Sequence, residues 1–199
     1  HKKRKIWMSK FDVTGDLIWG HLFGSKWDSR LYDLAADADN NIYMTGQTGW
    51  RSNTAVGGNW QANPTVASDA FGVSGKGGVD AVVAKFNEAG TTMWVELFGG
   101  GGWQHTGLAI AVDNLGSVYS AGRVNSSVDF SGGNATGVNA GSEHDPYLIR
   151  HNAADGSYVC AALLLGGPDE RKNEARGVAI DASGRPLIAG YFQGDIDFD

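Results

Sequence analysis

The apolar positions of this chain alternate in short runs that recur in register, so the pattern predicts β-hairpins repeated along the sequence. Residues 80–87 read DAVVAKFN. Val82, Ala84 and Phe86 fall on one face and Val83, Lys85 and Asn87 on the other, the period of two that gives a strand one buried and one wetter face. The turn Glu88-Ala89-Gly90 leads into a second run, 91–98 (TTMWVELF). Another pair, 107–113 (GLAIAVD) and 117–123 (SVYSAGR), surrounds Asn114-Leu115-Gly116, a Gly-containing hairpin turn. No segment carries a convincing helical period.

These hairpins repeat. Residues 10–24 (KFDVTGDLIWGHLFG) and 85–99 (KFNEAGTTMWVELFG) align without a gap, with Lys85 75 residues beyond Lys10. A degenerate third copy starts at Arg150 (RHNAADGSYVCAALLLGG), with Arg for Lys, His for Phe and Cys160 near the Trp slot. A second block reads LAADADNNIYMTG ending at Gly46, IAVDNLGSVYSAG ending at Gly122 and VAIDASGRPLIAG ending at Gly190. Its Asp37, Asp113 and Asp181 are spaced 76 and then 68 residues apart. Self-similarity at such periods marks a repeat architecture. Four antiparallel strands per unit predict an all-β fold, a β-propeller of four-stranded blades stacked face to face about an axis. A lone blade leaves both apolar faces wet, so neighbours stabilise it. The repeat units run approximately over 5–79, 80–144 and 145–199.

Composition fits that reading. Thirty Gly and four Pro in 199 residues suit many tight turns, and 42% hydrophobic with 19% charged residues is enough apolar surface to fold. The net charge of −6 argues against a nucleic-acid partner, and the basic run Lys2-Lys3-Arg4-Lys5 is short enough to be a solvated terminus. No apolar stretch approaches the ~18 residues a membrane helix needs, and no signal peptide is visible. Cys160 is the single cysteine, so no internal disulfide is available; a strand residue packed as a small apolar side chain is expected.

The combined phrase D-A-V-V-A-K-F-N-x-x-G-x-x-x-W-x-x-x-F-G-G, then G-x-A-I-A-V-D-x-x-G-x-V-Y-x-x-G, resembles the bacterial β-propeller repeat called SBBP. Asp129-Phe130 and Asp197-Phe198 fit the short D-F that follows in that repeat. The hairpin core is also similar to the NHL repeat. The resemblance implies that the G-x-A-V-D strand lies innermost: inner strands 31–37, 107–113 and 175–181; second strands 41–47, 117–123 and 186–192; third strands 6–11, 80–87 and 146–151; outer strands 16–23, 91–98 and 157–165. On that register the chain holds half a blade, two whole blades and half a blade. About three blades' worth is fewer than a propeller closes with, so a longer polypeptide or an assembly of copies is expected.

Loops from outer to next inner strand, and from second to third strand, emerge on one face, where a rigid scaffold carries binding. The first class contains Trp27, Asp28, Arg30, Trp103, Gln104, His105 and Arg171; the second is long, over 48–79 and 124–144, with Trp50, Arg51 and Trp60. Exposed Trp beside Asn, Asp and Arg suits a glycan or a protein partner. The plainer reading, which the repetition favours slightly, makes Trp27 and Trp103 packing wedges between blades. Trp19 and Trp94, inside the outer strands, read as core. For Ca²⁺, Asp37-Ala38-Asp39-Asn40-Asn41 has part of the oxygen spacing of a calcium loop, but turn chemistry explains it better, since only the first Asp persists in the other units. Asp195, Asp197 and Asp199 put alternate carboxylates on one face and are weak metal candidates.

No spaced metal set, G-x-S-x-G elbow or phosphate loop is present, and the five His are scattered. His105 with Asp28 or Glu143 is the nearest thing to an acid–base pair. The expectation is a non-catalytic interaction or structural module that presents loops on a rigid scaffold. A location on the bacterial surface or outside the cell is what the family resemblance implies. The alternatives are a glycan-binding or carbohydrate-active domain, and a subunit that self-assembles into a ring or filament.

Overall fold

A computed structural model of the chain describes residues 4–23, 28–49, 78–100, 104–131, 138–139, 144–164 and 172–193. Over these residues the fold is all-β, and every strand pairing is antiparallel. The strands are β1 (Ile6–Phe11), β2 (Leu17–Phe23), β3 (Ser29–Ala36), β4 (Ile42–Thr48), β5 (Asp80–Phe86), β6 (Thr92–Phe98), β7 (Thr106–Val112) and β8 (Ser117–Val124). They continue as β9 (Ser127–Val128), β10 (Val138–Asn139), β11 (Asp145–Asn152), β12 (Tyr158–Leu163), β13 (Glu174–Ile180) and β14 (Pro186–Tyr191). Two sheets have four strands, in the orders β3-β4-β5-β6 and β7-β8-β11-β12; β1-β2 and β13-β14 are two-stranded. The expected strand assignments hold to within a few residues. The expected loop 124–144 differs, because β9 and β10 pair inside it and Asp129 bridges back to Gly99.

Hairpin closure explains the recurring Asp and Gly. Asp37 Oδ1 accepts the backbone N–H groups of Asp39 and Asn41; Asp113 Oδ1 does the same for Leu115 and Ser117, and Asp181 Oδ1 for Ser183 and Arg185. Asp12 serves Thr14 and Asp16, and Asn87 serves Ala89 and Thr91. Each of these turns then needs a left-handed residue three positions on, supplied by Gly15, Asn40, Gly90, Gly116 and Gly184 (φ between 63 and 92°). Gly46, Gly122 and Gly190 recur for another reason. Each faces the bulged start of its neighbouring strand, where an added methyl would run into the carbonyl oxygen of Arg30, Thr106 or Glu174.

The sheets stack through equivalent residues. Trp19 Nε1 donates to the carbonyl of Glu88 at 2.9 Å, and Trp94 Nε1 to the carbonyl of Ala153 at 3.2 Å, which is the equivalent turn residue one unit on. Lys10 and Lys85 reach the same pair of turn residues through different atoms, Lys10 Nζ donating to the Glu88 carboxylate and Lys85 Nζ to the Ala153 backbone carbonyl, each at 2.9 Å. One apolar cluster lies between β1-β2 and the next sheet, around Met8, Phe23, Val82, Phe86 and Leu97. The other lies between the two four-stranded sheets, around Tyr43, Val83, Trp94, Phe98, Tyr147 and Ile149.

Stacking refines one expectation and corrects two. In 80–87 the wetter face is the one carrying half-buried Lys85 and Asn87, but Val83 on it is buried, because a sheet lies over each side of β5. Trp94 is core as expected, whereas Trp19 is only half-buried, packed on the first cluster at the edge of a two-stranded sheet. Cys160 is in a strand but exposed rather than packed, on the side of β12 that no described strand covers.

Candidate functional site

The described ends of the β2–β3, β4–β5, β6–β7, β8–β11 and β12–β13 connections lie at one end of the stack, where backbone hydrogen bonds join neighbouring sheets. Ser29 N donates to the carbonyl of Arg4, His105 N to that of Val79 and Asn173 N to that of His144, at 3.1, 2.9 and 3.1 Å. Ser29, His105 and Asn173 are equivalent residues, and all three are buried. Below the loops they begin a layer of buried polar side chains that also contains Gln47, Thr48, Asp80, Thr106, Asn125, Asp145 and Glu174. Buried polar groups persist where partners satisfy them, and here the partners lie across sheet boundaries.

At the boundary between the two four-stranded sheets, Thr106 Oγ1 donates to Gln47 Oε1 at 3.0 Å, and the Tyr32 hydroxyl donates to the same oxygen at 3.3 Å. One unit on, the equivalent residues are charged: partly buried Arg123 forms an ion pair with buried Glu174. Glu174 is held from the other side by Arg176 Nη2 at 2.7 Å, and the Arg176 guanidinium lies 5.4 Å from the centre of the Tyr191 ring. Arg123 also donates to Gln104 Oε1 at 3.3 Å, and Gln104 N to Asn125 Oδ1 at 3.2 Å.

The expected site residues divide clearly. Half-buried Gln104 bonds Arg123 and Asn125 at the edge of this layer, while His105 is buried in it, where its ring and Asp80 both lie against Gly99. Asp28 lies at the same end of the preceding sheet, its Oδ1 accepting Arg4 N at 2.7 Å and its carbonyl accepting Gly49 N at 2.9 Å. Arg30 is half-buried in β3 at the position equivalent to Thr106 and Glu174. Trp27, Trp50, Arg51, Trp60, Trp103, Arg171, Glu143, Asp195, Asp197 and Asp199 lie outside the described residues. Sequence reasoning missed Gln47, Arg123, Glu174 and Arg176. The signal was present: Gln47 and Arg123 each follow the recurring Gly, and Thr106 and Glu174 each stand seven residues before the recurring Asp.

The chemistry of the layer is that of fixation. Burial, with a smaller contribution from His144, pushes the His105 imidazole down to about 4, so it is neutral at pH 7. Among the described residues its ring nitrogens meet no hydrogen-bond partner and no carboxylate orients it. Glu174 is neutralised by two guanidinium groups. No cluster of three or more His, Cys, Asp or Glu among the described residues is placed to hold a metal.

The opposite end carries the Asp-anchored turns, with a groove of about 450 Å³ between 112–115 and 180–184. There Asp181 spends both oxygens on its own turn, Oδ2 accepting Arg185 Nε at 2.7 Å. In the candidate calcium loop, Asp37 Oδ1 accepts two backbone donors, and Oδ2 accepts Asn41 Nδ2 and the Tyr43 hydroxyl. Partial burial pulls this carboxyl up, but those bonds outweigh it and hold it below the ordinary carboxylate value. Every lone pair thus has local work, as the turn reading requires.

No family model matches this chain, and no curated protein is significantly similar to it. The likeness to SBBP and NHL repeats therefore rests on the recurring phrases themselves.

Proposed function

We propose that the chain is a segment of a β-propeller serving as a non-catalytic interaction or structural module of a bacterial surface or secreted protein. One observation carries this reading: equivalent residues make equivalent contacts at successive sheet boundaries. Trp19 and Trp94, and Ser29, His105 and Asn173, do so. A repeated contact means a repeated rigid-body step from sheet to sheet, and such a step generates a toroid or solenoid rather than a sandwich. Its functional product is a set of loops at fixed spacing over a locked polar layer. Binding by aromatic and polar loop residues is what such a surface does well. The partner is a protein or a glycan.

The test is a panel of glycans and candidate surface proteins read by biolayer interferometry, with wild type beside a Trp27→Ala/Trp103→Ala variant. Saturable binding that the variant loses, at an unchanged circular dichroism spectrum, is the expected result. Binding that survives both substitutions but disappears when turns 113–116 and 181–184 are altered would overturn the placement. Turnover of a glycan substrate would overturn the non-catalytic reading.

A further inference from the structure

Two guanidinium groups converge on one carboxylate at the loop end of β13. Glu174 is the only carboxylate that Arg123 or Arg176 meets among the described residues. One positive charge is therefore in excess, and Arg176, whose side chain is 59% exposed, carries it to the surface. This surface cation has a fixed aim. Its Nη2 is held by Glu174 Oε2 at 2.7 Å, and the guanidinium lies 5.4 Å from the centre of the Tyr191 ring. An untethered arginine loses rotamer freedom when it meets a ligand, whereas here the ordering is already made and the five-donor fork keeps donors to spare.

The position is an open one in its own right. Arg176 is the bulged residue of β13, as Tyr32 is of β3 and Leu108 of β7. Tyr32 is exposed and Leu108 half-buried, although another sheet packs beyond the sheet of each. Access to this row of side chains does not hang on what lies beyond β13-β14. The surrounding charge has one sign. At the loop end the exposed charges among the described residues are Arg4, Lys172 and Arg176, while every described carboxylate there is half-buried or buried. The turn end is the reverse, with Asp12, Asp16, Asp39, Glu88 and Asp155 exposed against Arg185.

We propose that Arg176 binds the carboxylate of an acidic sugar, a uronate, at the loop end of the module. This deepens the module reading above and rests on it. A planar carboxylate accepts two parallel N–H bonds from the edge of a guanidinium, a match that a hydroxyl or an ester does not make. The neighbouring amide favours a sugar over an acidic peptide. Gln104 spends its Oε1 on Arg123 at 3.3 Å, which directs its NH2 group away from that guanidinium. A donor so directed suits a ring hydroxyl, which the side chain of an acidic peptide lacks.

The test is isothermal titration calorimetry of the whole chain with polygalacturonate, its fully methyl-esterified form and poly-L-glutamate. Saturable binding of polygalacturonate is expected, at least about tenfold tighter than that of the other two. Arg176→Gln should weaken it about tenfold or more, the loss expected of one charge-assisted pair. Arg185→Gln, at the turn end, should leave it unchanged. Both variants should keep the parent's circular dichroism spectrum, since each side chain is exposed. No binding of polygalacturonate, equal binding of its ester, or binding indifferent to Arg176→Gln overturns the proposal. Poly-L-glutamate as the tighter ligand also overturns it, in favour of an acidic protein partner. A neutral glycan or a protein that is lost with Trp27→Ala/Trp103→Ala but not with Arg176→Gln removes the uronate alone and leaves the module reading standing. Binding controlled instead by the turns 113–116 and 181–184 removes both.

Discussion

Trp94→Ala and Trp19→Ala delete equivalent side chains from successive sheets, yet the structure makes their costs unequal. Trp94 is buried among Tyr43, Phe98 and Tyr147, and its ring lies against the backbone of Gly156 in the next unit. A buried Trp hides roughly 150–250 Å², which at about 25 cal/mol/Å² is a ceiling of ~4–6 kcal/mol. The cavity left by truncation brings the expected loss to about 3–5 kcal/mol. The hydrogen bond adds little, because the Ala153 carbonyl keeps Lys85 Nζ at 2.9 Å and is not orphaned. Trp19 makes the same kind of bond but keeps part of its surface in water, so about half the area and about half the loss follow. Urea titration followed by far-ultraviolet circular dichroism reads both. With a slope of about 2.5 kcal/mol/M, the Trp94→Ala midpoint should drop by ~1–2 M and that of Trp19→Ala by about half as much. A Trp19→Ala variant as damaged as Trp94→Ala would refute the claim that burial between complete sheets, rather than the shared hydrogen bond, sets the stability.

Two further outcomes follow from the polar residues. Burial holds both His105 and His151 down at about 4, against 6.5 for a free imidazole, so between those values the unfolded chain binds more protons than the folded one. Stability is then whole above about pH 6.5 and falls toward pH 4, by about 3 kcal/mol per histidine. His105→Asn, which installs the side chain of the equivalent Asn173, should roughly halve that slope in urea titrations at stepped pH, and an unchanged slope would contradict it. Glu174→Thr alone takes the carboxylate from partly buried Arg123, at a cost of about 1.5–3 kcal/mol. Adding Arg123→Gln recreates the Gln47–Thr106 pair of the previous boundary, and a double-mutant cycle should recover most of the loss. No recovery would mean that the two boundaries are not equivalent.

Strand order and hairpin identity were legible because they depend on local signals: alternation, and an Asp or Asn three residues before a left-handed Gly. Burial was less legible. The alternation in 80–87 gives the wetter face, but sheets stacked on both sides bury Val83 on it and leave Lys85 and Asn87 only half-buried, and period alone says nothing about what lies beyond the strand. The same limit applies to Trp19 and Cys160, whose exposure depends on whether a neighbouring sheet is present. The candidate site was half legible. Loop topology pointed to Gln104 and His105, while the charged layer beneath them, Arg123 with Glu174, reads as ordinary strand polarity until the units are aligned position by position.

That layer also bears on how units of one shape keep their order. Geometry repeats at each boundary, but the chemistry changes: Gln47 meets Thr106, and Arg123 meets Glu174. Docking the wrong sheet would set Arg123 against the Thr106 hydroxyl and Gln47 against Glu174, leaving the partly buried Arg123 guanidinium without its carboxylate and Glu174 with Arg176 alone. Losing a charge-assisted bond in that way costs about 1.5–3 kcal/mol, more than a single neutral bond of ~1 kcal/mol returns. Discrimination therefore comes from the penalty on the mismatch rather than from the strength of the match. A chain that builds one shape from recurring phrases needs such a device, because the apolar faces alone fit one another too well. The order of the sheets is thus set by the same residues that hold them together.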